Sequence, residues 1–202
     1  KGAPYKADEF SNVVVIGYAP LILVTHPSFG PRTPKELIDF ARANPNKVVW
    51  GSSGIGSSLH IGMAVLLGAT GVQFTHVPYK GSAPMITEIV GAAVNGAHTT
   101  TVSAEAVIKT RRVRVIGIAN HKRSPLLPDV PTLAENGIKD AESLVWFGMA
   151  APLKTPRTII DRLNREVNHS LGLPDVKARL DQLGLEVQGG TPGSMDQFIK
   201  KE

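Results

Sequence analysis

A loop rich in glycine and serine, Gly51-Ser-Ser-Gly-Ile-Gly-Ser-Ser58, is the segment of this sequence best suited to chemistry. Its glycines let the backbone turn tightly and present N–H groups, and its serines add hydroxyl donors. The run from Leu59 to Leu67 predicts a helix after the loop, and a helix N-terminus carries a partial positive charge. The sequence therefore predicts an anion site, whose candidate ligand-binding residues are Ser53, Gly54, Gly56, Ser57, Ser58 and His60. A tight strand-to-helix connection without a ligand is the alternative. For His60, which lies one helical turn past the loop, capping and packing is the simpler alternative.

Two nucleotide-binding motifs fail in this loop at residues on which their chemistry depends. A P-loop needs a lysine after its second glycine, and Ser57 stands there. A dinucleotide-binding fingerprint needs a third glycine, and Leu59 stands there. A carboxylate needs only one to three neutral donors, so the loop favours a carboxylate over a nucleotide.

A second polar loop, from His76 to Pro84, also follows a predicted strand and precedes a predicted helix. Its candidate ligand-binding residues are Tyr79, Lys80 and Ser82, which offer two hydroxyls and a positive charge. The alternative is that Tyr79 packs against the protein while Lys80 is solvated, which is the usual state of a lone lysine.

A third loop, from Thr99 to Ser103, carries four hydroxyl groups before another predicted helix. Thr99 and Ser103 are its candidate ligand-binding residues. For Ser103, plain capping of the helix is the favoured interpretation.

Strands that alternate with short helices must position these loops. The predicted strands before residue 120 cover residues 13–16, 21–24, 48–50, 74–77, 92–98 and 113–118. This alternation predicts an α/β fold with a parallel or mostly parallel sheet and helices on its faces. The carboxyl ends of parallel strands meet at one edge, where such sheets bind ligands, so we expect the three loops to converge there.

After residue 120 the sequence pattern changes. A proline-rich segment, residues 121–131, predicts a crossing connection, and a short helix over 132–136 ends at Gly137. The later pattern predicts strands over 145–150 and 185–187, and helices that begin near 155, 174 and 191. Three helices are predicted to begin at Thr-Pro pairs, in which threonine caps and proline takes the first helical position.

Composition excludes several classes of protein. With 202 residues, 42% of them hydrophobic, the chain can form one full domain or two small lobes. Its net charge of +5 is scattered and aromatics are only 5%, which argues against a nucleic-acid interface. It has no cysteine, and its longest apolar stretch, residues 61–67, is too short to span a bilayer. No targeting segment is visible at its start.

Catalytic groups are sparse. The sequence contains no Gly-x-Ser-x-Gly elbow, and its six histidines show no metal-ligand spacing. Few acidic residues lie near the three loops, so no general acid–base pair is evident. The predicted site therefore holds a substrate without changing it, and we expect no catalytic residue, no metal and no cofactor.

Three segments carry a resemblance to a known family: Gly51–His60, His76–Pro84 and Lys122-Arg-Ser-Pro-Leu-Leu-Pro-Asp-Val-Pro-Thr132. Weaker matches are Trp146–Gly148, Ala151-Pro152 and the strand after Leu183. In this order, over nearly the whole chain, they resemble the substrate-binding proteins of tripartite tricarboxylate transporters, the Bug-type receptors.

The resemblance implies the α/β fold of two-lobed periplasmic binding proteins, type II-like, which close on a ligand like a flytrap. Residues 1–17 would be a remnant of the first lobe and the crossover. Residues 18–125 would form the central ligand-binding lobe, and 126–202 would cross over and return to the first lobe. Family members are longer, so the chain is expected to lack its signal peptide and the N-terminal part of the first lobe.

The resemblance also implies a periplasmic location, a small carboxylate as ligand, membrane transporter subunits as partners, and a monomer without membrane insertion. Many relatives have Phe-Asp or Phe-Val where this chain has His98-Thr99. An aspartate there could pair with an ammonium group and Thr99 cannot, which favours a ligand without an amine. Two alternatives remain: an enzyme acting on a small carboxylate on a similar scaffold, and the ligand-sensing effector domain of a regulator.

Overall fold

The computed structural model describes residues 5–201, which form two compact units. One unit is Ala19–Val145, and the other combines the segments before and after it. The strands are β1 (Phe10–Pro20), β2 (Ile22–Thr25), β3 (Val49–Ser52), β4 (Thr75–Pro78), β5 (Gly96–Thr99), β6 (Arg114–Ile118), β7 (Leu144–Pro152) and β8 (Glu186–Val187). The helices are α1 (Pro34–Ala43), α2 (Ser58–Thr70), α3 (Ser82–Val90), α4 (Thr101–Lys109), α5 (Arg157–Leu171), α6 (Pro174–Gln182) and α7 (Pro192–Lys201).

The central unit, Ala19–Val145, is built on a five-stranded sheet with the order β4-β3-β5-β2-β6. β3 pairs in parallel with β4 and with β5, whereas β2 pairs antiparallel with β5 and with β6. Four strands therefore point the same way and β2 runs against them. The expected mostly parallel sheet is confirmed, with one reversed strand that the alternation of elements did not predict.

Both faces of this sheet are covered by helices. Trp50 and His98 lie on one face, where Gly62 of α2 approaches the His98 ring. Met85 of α3 lies against Gly51 on the opposite face. The central strands β2, β3 and β5 are therefore almost fully buried, whereas the edge strand β4 is partly exposed.

Residues 126–145 belong to the central unit by their contacts, although the sequence placed the change of lobe at residue 125. Leu133, Ile138 and Ala141 are buried in the central core. The backbones of Leu21, Ala119 and Ser143 also bond in a ring: Leu21 N–H to Ser143 O, Ser143 N–H to Ala119 O, and Ala119 N–H to Leu21 O. These long-range bonds attach the crossing segment to the central unit, and no local sequence pattern predicts them.

The second unit contains a three-stranded sheet, β7-β1-β8. β1 was expected to cover residues 13–16, but it runs from Phe10 to Pro20, and Gly17 and Tyr18 pair with β8. Val13 and Val14 of β1 pack against Ile160 of α5. Asn164 of α5 bonds the carbonyl groups of both Val13 and Gly190, which ties the helix to the strand.

Two of the three predicted Thr-Pro helix starts are confirmed. The Thr33 and Thr191 hydroxyls accept backbone N–H groups of Glu36 and Ser194. The prediction is wrong at Thr155, because α5 begins after Pro156 without a side-chain cap. Among residues 5–201, no helix combines the length and apolar character needed to cross a membrane.

Candidate anion-binding site

The three predicted loops lie at one edge of the central sheet. They follow β3, β4 and β5, which are parallel neighbours, with Ser52 beside Pro78 and Gly51 beside Ala97 in register. Each loop leads directly into a helix: α2, α3 or α4. Three helix N-termini therefore gather at this edge, and their partial positive charges favour an anion.

The first loop is folded by its own serine and glycine residues. Ser57 caps α2, because its hydroxyl accepts the N–H of His60 at 3.3 Å and donates to the carbonyl of Gly54 at 2.8 Å. Gly54 and Gly56 have φ values of 133° and 79°, which side chains rarely tolerate. Ser53 is half-buried and Ser58 is exposed at the start of α2. The loop geometry thus depends on its glycines, as the sequence predicted.

An imidazole pair stands behind this loop. The rings of His60 and His76 stack with centroids 4.4 Å apart and planes 10° apart. The Gly56 N–H donates to Nδ1 of His60 at 3.1 Å, and Nε2 of His76 lies 2.7 Å from the Ser52 hydroxyl. Burial, and then the neighbouring His60, lower the pKa of His76. His60, a predicted ligand residue, thus uses Nδ1 to hold the loop backbone.

The second loop is attached to the first through its backbone. The N–H of Tyr79 donates to the Ser52 carbonyl at 2.9 Å. Gly81, with φ of 119°, precedes α3, and no side chain caps this helix. Burial, followed by the charge of Glu88, raises the pKa of Tyr79, so its phenol is a neutral donor. Lys80 is exposed and Ser82 is half-buried at the first position of α3.

In the third loop, the predicted cap of α4 is wrong. The cap is Thr100, whose hydroxyl accepts the N–H of Ser103 and donates to the Ser103 hydroxyl at 3.1 Å. Ser103 lies three residues too far along the chain to cap, and it is exposed. Thr99 is fully buried, and within the described residues its hydroxyl has no hydrogen-bond partner.

Three residues at this edge were not among the predicted ligand-binding residues: Ser52, His76 and Thr100. Their roles depend on contacts across strands or on the exact helix start, which the sequence alone does not give. A serine that ends a strand, and a polar residue three positions upstream of a candidate, are the signals that could have found them. Among the described residues, no cluster of three or more His, Cys, Asp or Glu side chains could hold a metal ion.

The arrangement offers mainly neutral hydrogen-bond donors, with one cation, Lys80, in the second loop. Ser57 and Thr100 cap their own helices, whereas the N-terminus of α3 has no side-chain cap. Its backbone N–H groups, with the Tyr79 phenol and the Lys80 ammonium nearby in sequence, form the most available donor set. A cavity of about 230 Å³ in the other unit, lined by residues that include Asn12, Arg157 and Asp196, contains none of the predicted ligand residues.

The fold and this edge define the class: an α/β protein of the two-lobed periplasmic binding-protein type. The model of the tripartite tricarboxylate transporter family receptor matches residues 1–202, and the chain belongs to that family. A relative from Pseudomonas sp. (strain P51), a UPF0065 protein in the tcbD-tcbE intergenic region, is 37% identical over 201 residues. The alignment covers 98% of this chain and 60% of that relative.

Two solved structures agree with this assignment. A structure of R. palustris Rpa4515 with adipate has a TM-score of 0.95 and 31% identity, covering 100% of this chain and 68% of that one. The periplasmic binding protein BugD has a TM-score of 0.88 and 30% identity, covering 95% and 65%. The expected Bug-type family and fold are confirmed. The chain spans about three fifths of the length of the Pseudomonas relative.

Proposed function

We propose that this chain is the ligand-binding part of a periplasmic receptor that captures a small organic carboxylate for a tripartite tricarboxylate-type transporter. The observation that carries the proposal is the uncapped N-terminus of α3 beside the glycine loop, at an edge where three helices begin. The adipate bound by the similar R. palustris protein supports the same ligand class.

The donor set suits a carboxylate on physical grounds. A carboxylate has two oxygens and one charge, which a few N–H groups and hydroxyls of fixed geometry can meet. A triphosphate would need more positive charge than Lys80 supplies, and the first loop has Ser57 where a P-loop has lysine. Within the described residues, neither His60 nor His76 forms an ion pair with a carboxylate of the protein, so no such carboxylate competes with a bound acid at this edge.

The two units have separate roles in this proposal. The central unit, Ala19–Val145, is the ligand-binding lobe, and the second unit belongs to the first lobe of the receptor. The ligand residues are Ser53, Gly54, Gly56, Ser57, Ser58, Tyr79, Lys80, Ser82, Thr99 and Ser103, with His60 behind them. The receptor binds its acid without chemical change, works in the periplasm as a monomer and passes its ligand to the transporter subunits.

Calorimetric titration with adipate, and with its neutral diamide as control, tests the proposal. Two substitutions at the start of α3 identify the donor. Ser82→Pro removes one backbone N–H at a position where proline suits a helix, whereas Ser82→Ala removes only the hydroxyl. We expect adipate and not the diamide to bind, and the proline variant to bind at least about tenfold more weakly than the alanine variant.

A broader panel completes this test. It contains mono-, di- and tricarboxylates, aromatic acids and amino acids. Selective binding of an amine-free acid would support the preference that Thr99 indicates. Equal binding of an acid and its amide, or turnover of any bound acid, would contradict the receptor proposal.

A further inference from the structure

We propose that His60 is a positioning residue whose unprotonated Nδ1 atom holds the glycine loop in its anion-binding form, so that acid releases the ligand. This inference rests on the proposed carboxylate site and adds its regulation. It assigns His60 a different role from direct contact with the ligand.

The first argument is the hydrogen bond between Gly56 and His60. The backbone N–H of Gly56 donates to Nδ1 at 3.1 Å, which requires a lone pair on that nitrogen. A protonated imidazole carries N–H groups on both nitrogens, so this bond cannot form in the cationic state. Gly56 lies between Gly54 and the cap residue Ser57, and losing its restraint frees the centre of the loop.

The second argument is the stacked partner. His76 lies face to face with His60 at a centroid distance of 4.4 Å, and it reaches the loop from the other side through Ser52. The Ser52 hydroxyl in turn accepts the N–H of Gly54 at 3.3 Å. Two imidazolium rings in this stack would repel each other, so proton uptake by both rings disfavours the arrangement seen here.

The third argument is the lack of a compensating carboxylate. From β5, the titratable side chain near α2 is His98, which is fully buried and neutral. From the second loop and α3, the nearby groups are Tyr79, Lys80 and Glu88. The charge of Glu88 helps to raise the pKa of Tyr79. Among the described residues, neither His60 nor His76 forms an ion pair, so the protonated pair has no stabilising partner.

Asparagine and leucine at position 60 separate the two roles. The Oδ1 atom of asparagine occupies the position of Nδ1 and accepts a hydrogen bond at every pH, whereas leucine accepts none. His121→Asn is the control, because His121 is 79% exposed and pairs with Glu142, whereas His60 stacks on His76.

The first measurement needs no ligand. The amide resonance of Gly56 is followed by ¹H–¹⁵N NMR between pH 8 and pH 6, the range over which imidazole titrates. We expect a Gly56 shift that follows His60 protonation in the wild type and in His121→Asn, but not in His60→Asn. A Gly56 resonance that stays constant while His60 titrates would overturn the inference, whether or not any acid binds.

The second measurement is adipate affinity at the same two pH values and constant ionic strength. We expect the wild type and His121→Asn to bind about fourfold more weakly at pH 6 than at pH 8. His60→Asn should recover affinity that His60→Leu loses and should vary less than about twofold with pH. Tighter binding in acid would show that His60 contacts the carboxylate as a cation. Absence of binding at both pH values would refute the proposed function, and the Gly56 resonance would still decide the positioning role.

Discussion

The indole Nε1–H of Trp50 donates a hydrogen bond of 3.0 Å to Nδ1 of His98, and neither side chain exposes any surface. This bond joins β3 to β5 directly beneath the candidate site. It also sets the tautomer, because Nδ1 must keep its lone pair and the proton of the neutral ring then resides on Nε2. Burial lowers the pKa of His98 to about 3.

The first prediction concerns the stability of the fold in acid. The pKa of His98 is about 3 in the native state, against about 6.5 for an unperturbed imidazole. Between these values the unfolded chain takes up a proton that the native state does not, so the free energy of unfolding falls as pH falls. This residue alone should cost about 2 kcal/mol between pH 8 and pH 5.

Urea unfolding at several pH values measures this effect. His98→Asn keeps an acceptor for Trp50 but has no proton to take up. The variant should therefore lack the loss of about 2 kcal/mol that His98 causes between pH 8 and pH 5. An unchanged pH dependence in the variant would show that other groups control the acid response.

The second prediction compares two glycines of α2. A Cβ atom on Gly62 would lie 2.5 Å from Cδ1 of buried Leu21 and 3.0 Å from the Ser143 hydroxyl. A Cβ on Gly68 would meet nothing within 4 Å. Gly62→Ala should therefore destabilise the protein by about 1–3 kcal/mol through overpacking, whereas Gly68→Ala should stabilise it by up to about 1 kcal/mol. Thermal unfolding of both variants checks this, and equal effects would contradict the close approach of α2.

The third prediction concerns Asn168 in the second unit. Its side chain both accepts the N–H of Gly190 at 2.8 Å and donates to the Gly190 carbonyl at 2.9 Å. Asn168→Asp keeps the acceptor and loses the donor, so we expect a loss of about 1–3 kcal/mol and faster hydrogen exchange at the Gly190 amide.

Asn46→Asp is the control for this substitution. Asn46 is exposed and its amide bonds only the side chain of Gln73, so its effect should stay within about 0.5 kcal/mol. If both variants lose the same stability, the loss comes from the added charge and not from Gly190.

The fourth prediction concerns Lys80, the one cation in the second loop. If the ligand is an anion, Lys80→Gln should weaken adipate binding severalfold at low salt, and the difference should shrink as ionic strength rises. Lys109→Gln is the control, because Lys109 pairs with Glu105 at the far end of α4. Titrations at two salt concentrations measure both variants. A salt-independent loss in Lys80→Gln would indicate that its alkyl chain contributes packing instead of charge.

The local elements of the central unit were predictable from the sequence. The Thr33 cap with Pro34, the glycine loop before α2 and the polar loop before α3 all appear where their residue types predict them. Their signals lie within a few residues of one another, because helix capping and glycine conformations are local properties. Even the convergence of the three loops followed from one general rule about parallel strands.

The exact helix start before α4 was not predictable in the same way. Thr99, Thr100 and Thr101 are chemically alike, and only the backbone geometry identifies Thr100 as the cap. The contact between the stacked imidazoles was also not predictable, because it joins residues that are farther apart in the sequence. His60 and His76 lie 16 positions apart in the sequence, and the pairing of β3 with β4 brings them together.

The sequence by itself thus determined the strand–loop–helix units of this protein, its polar edge and its family. Only the tertiary structure decided that β2 runs against its neighbours, that residues 126–145 pack on the central unit, and that His60 holds Gly56. The physical reason is the range of the interactions. Capping and turn preferences act between near neighbours, whereas strand direction and side-chain contacts depend on residues such as Leu21, Ala119 and Ser143 that meet only in the folded chain.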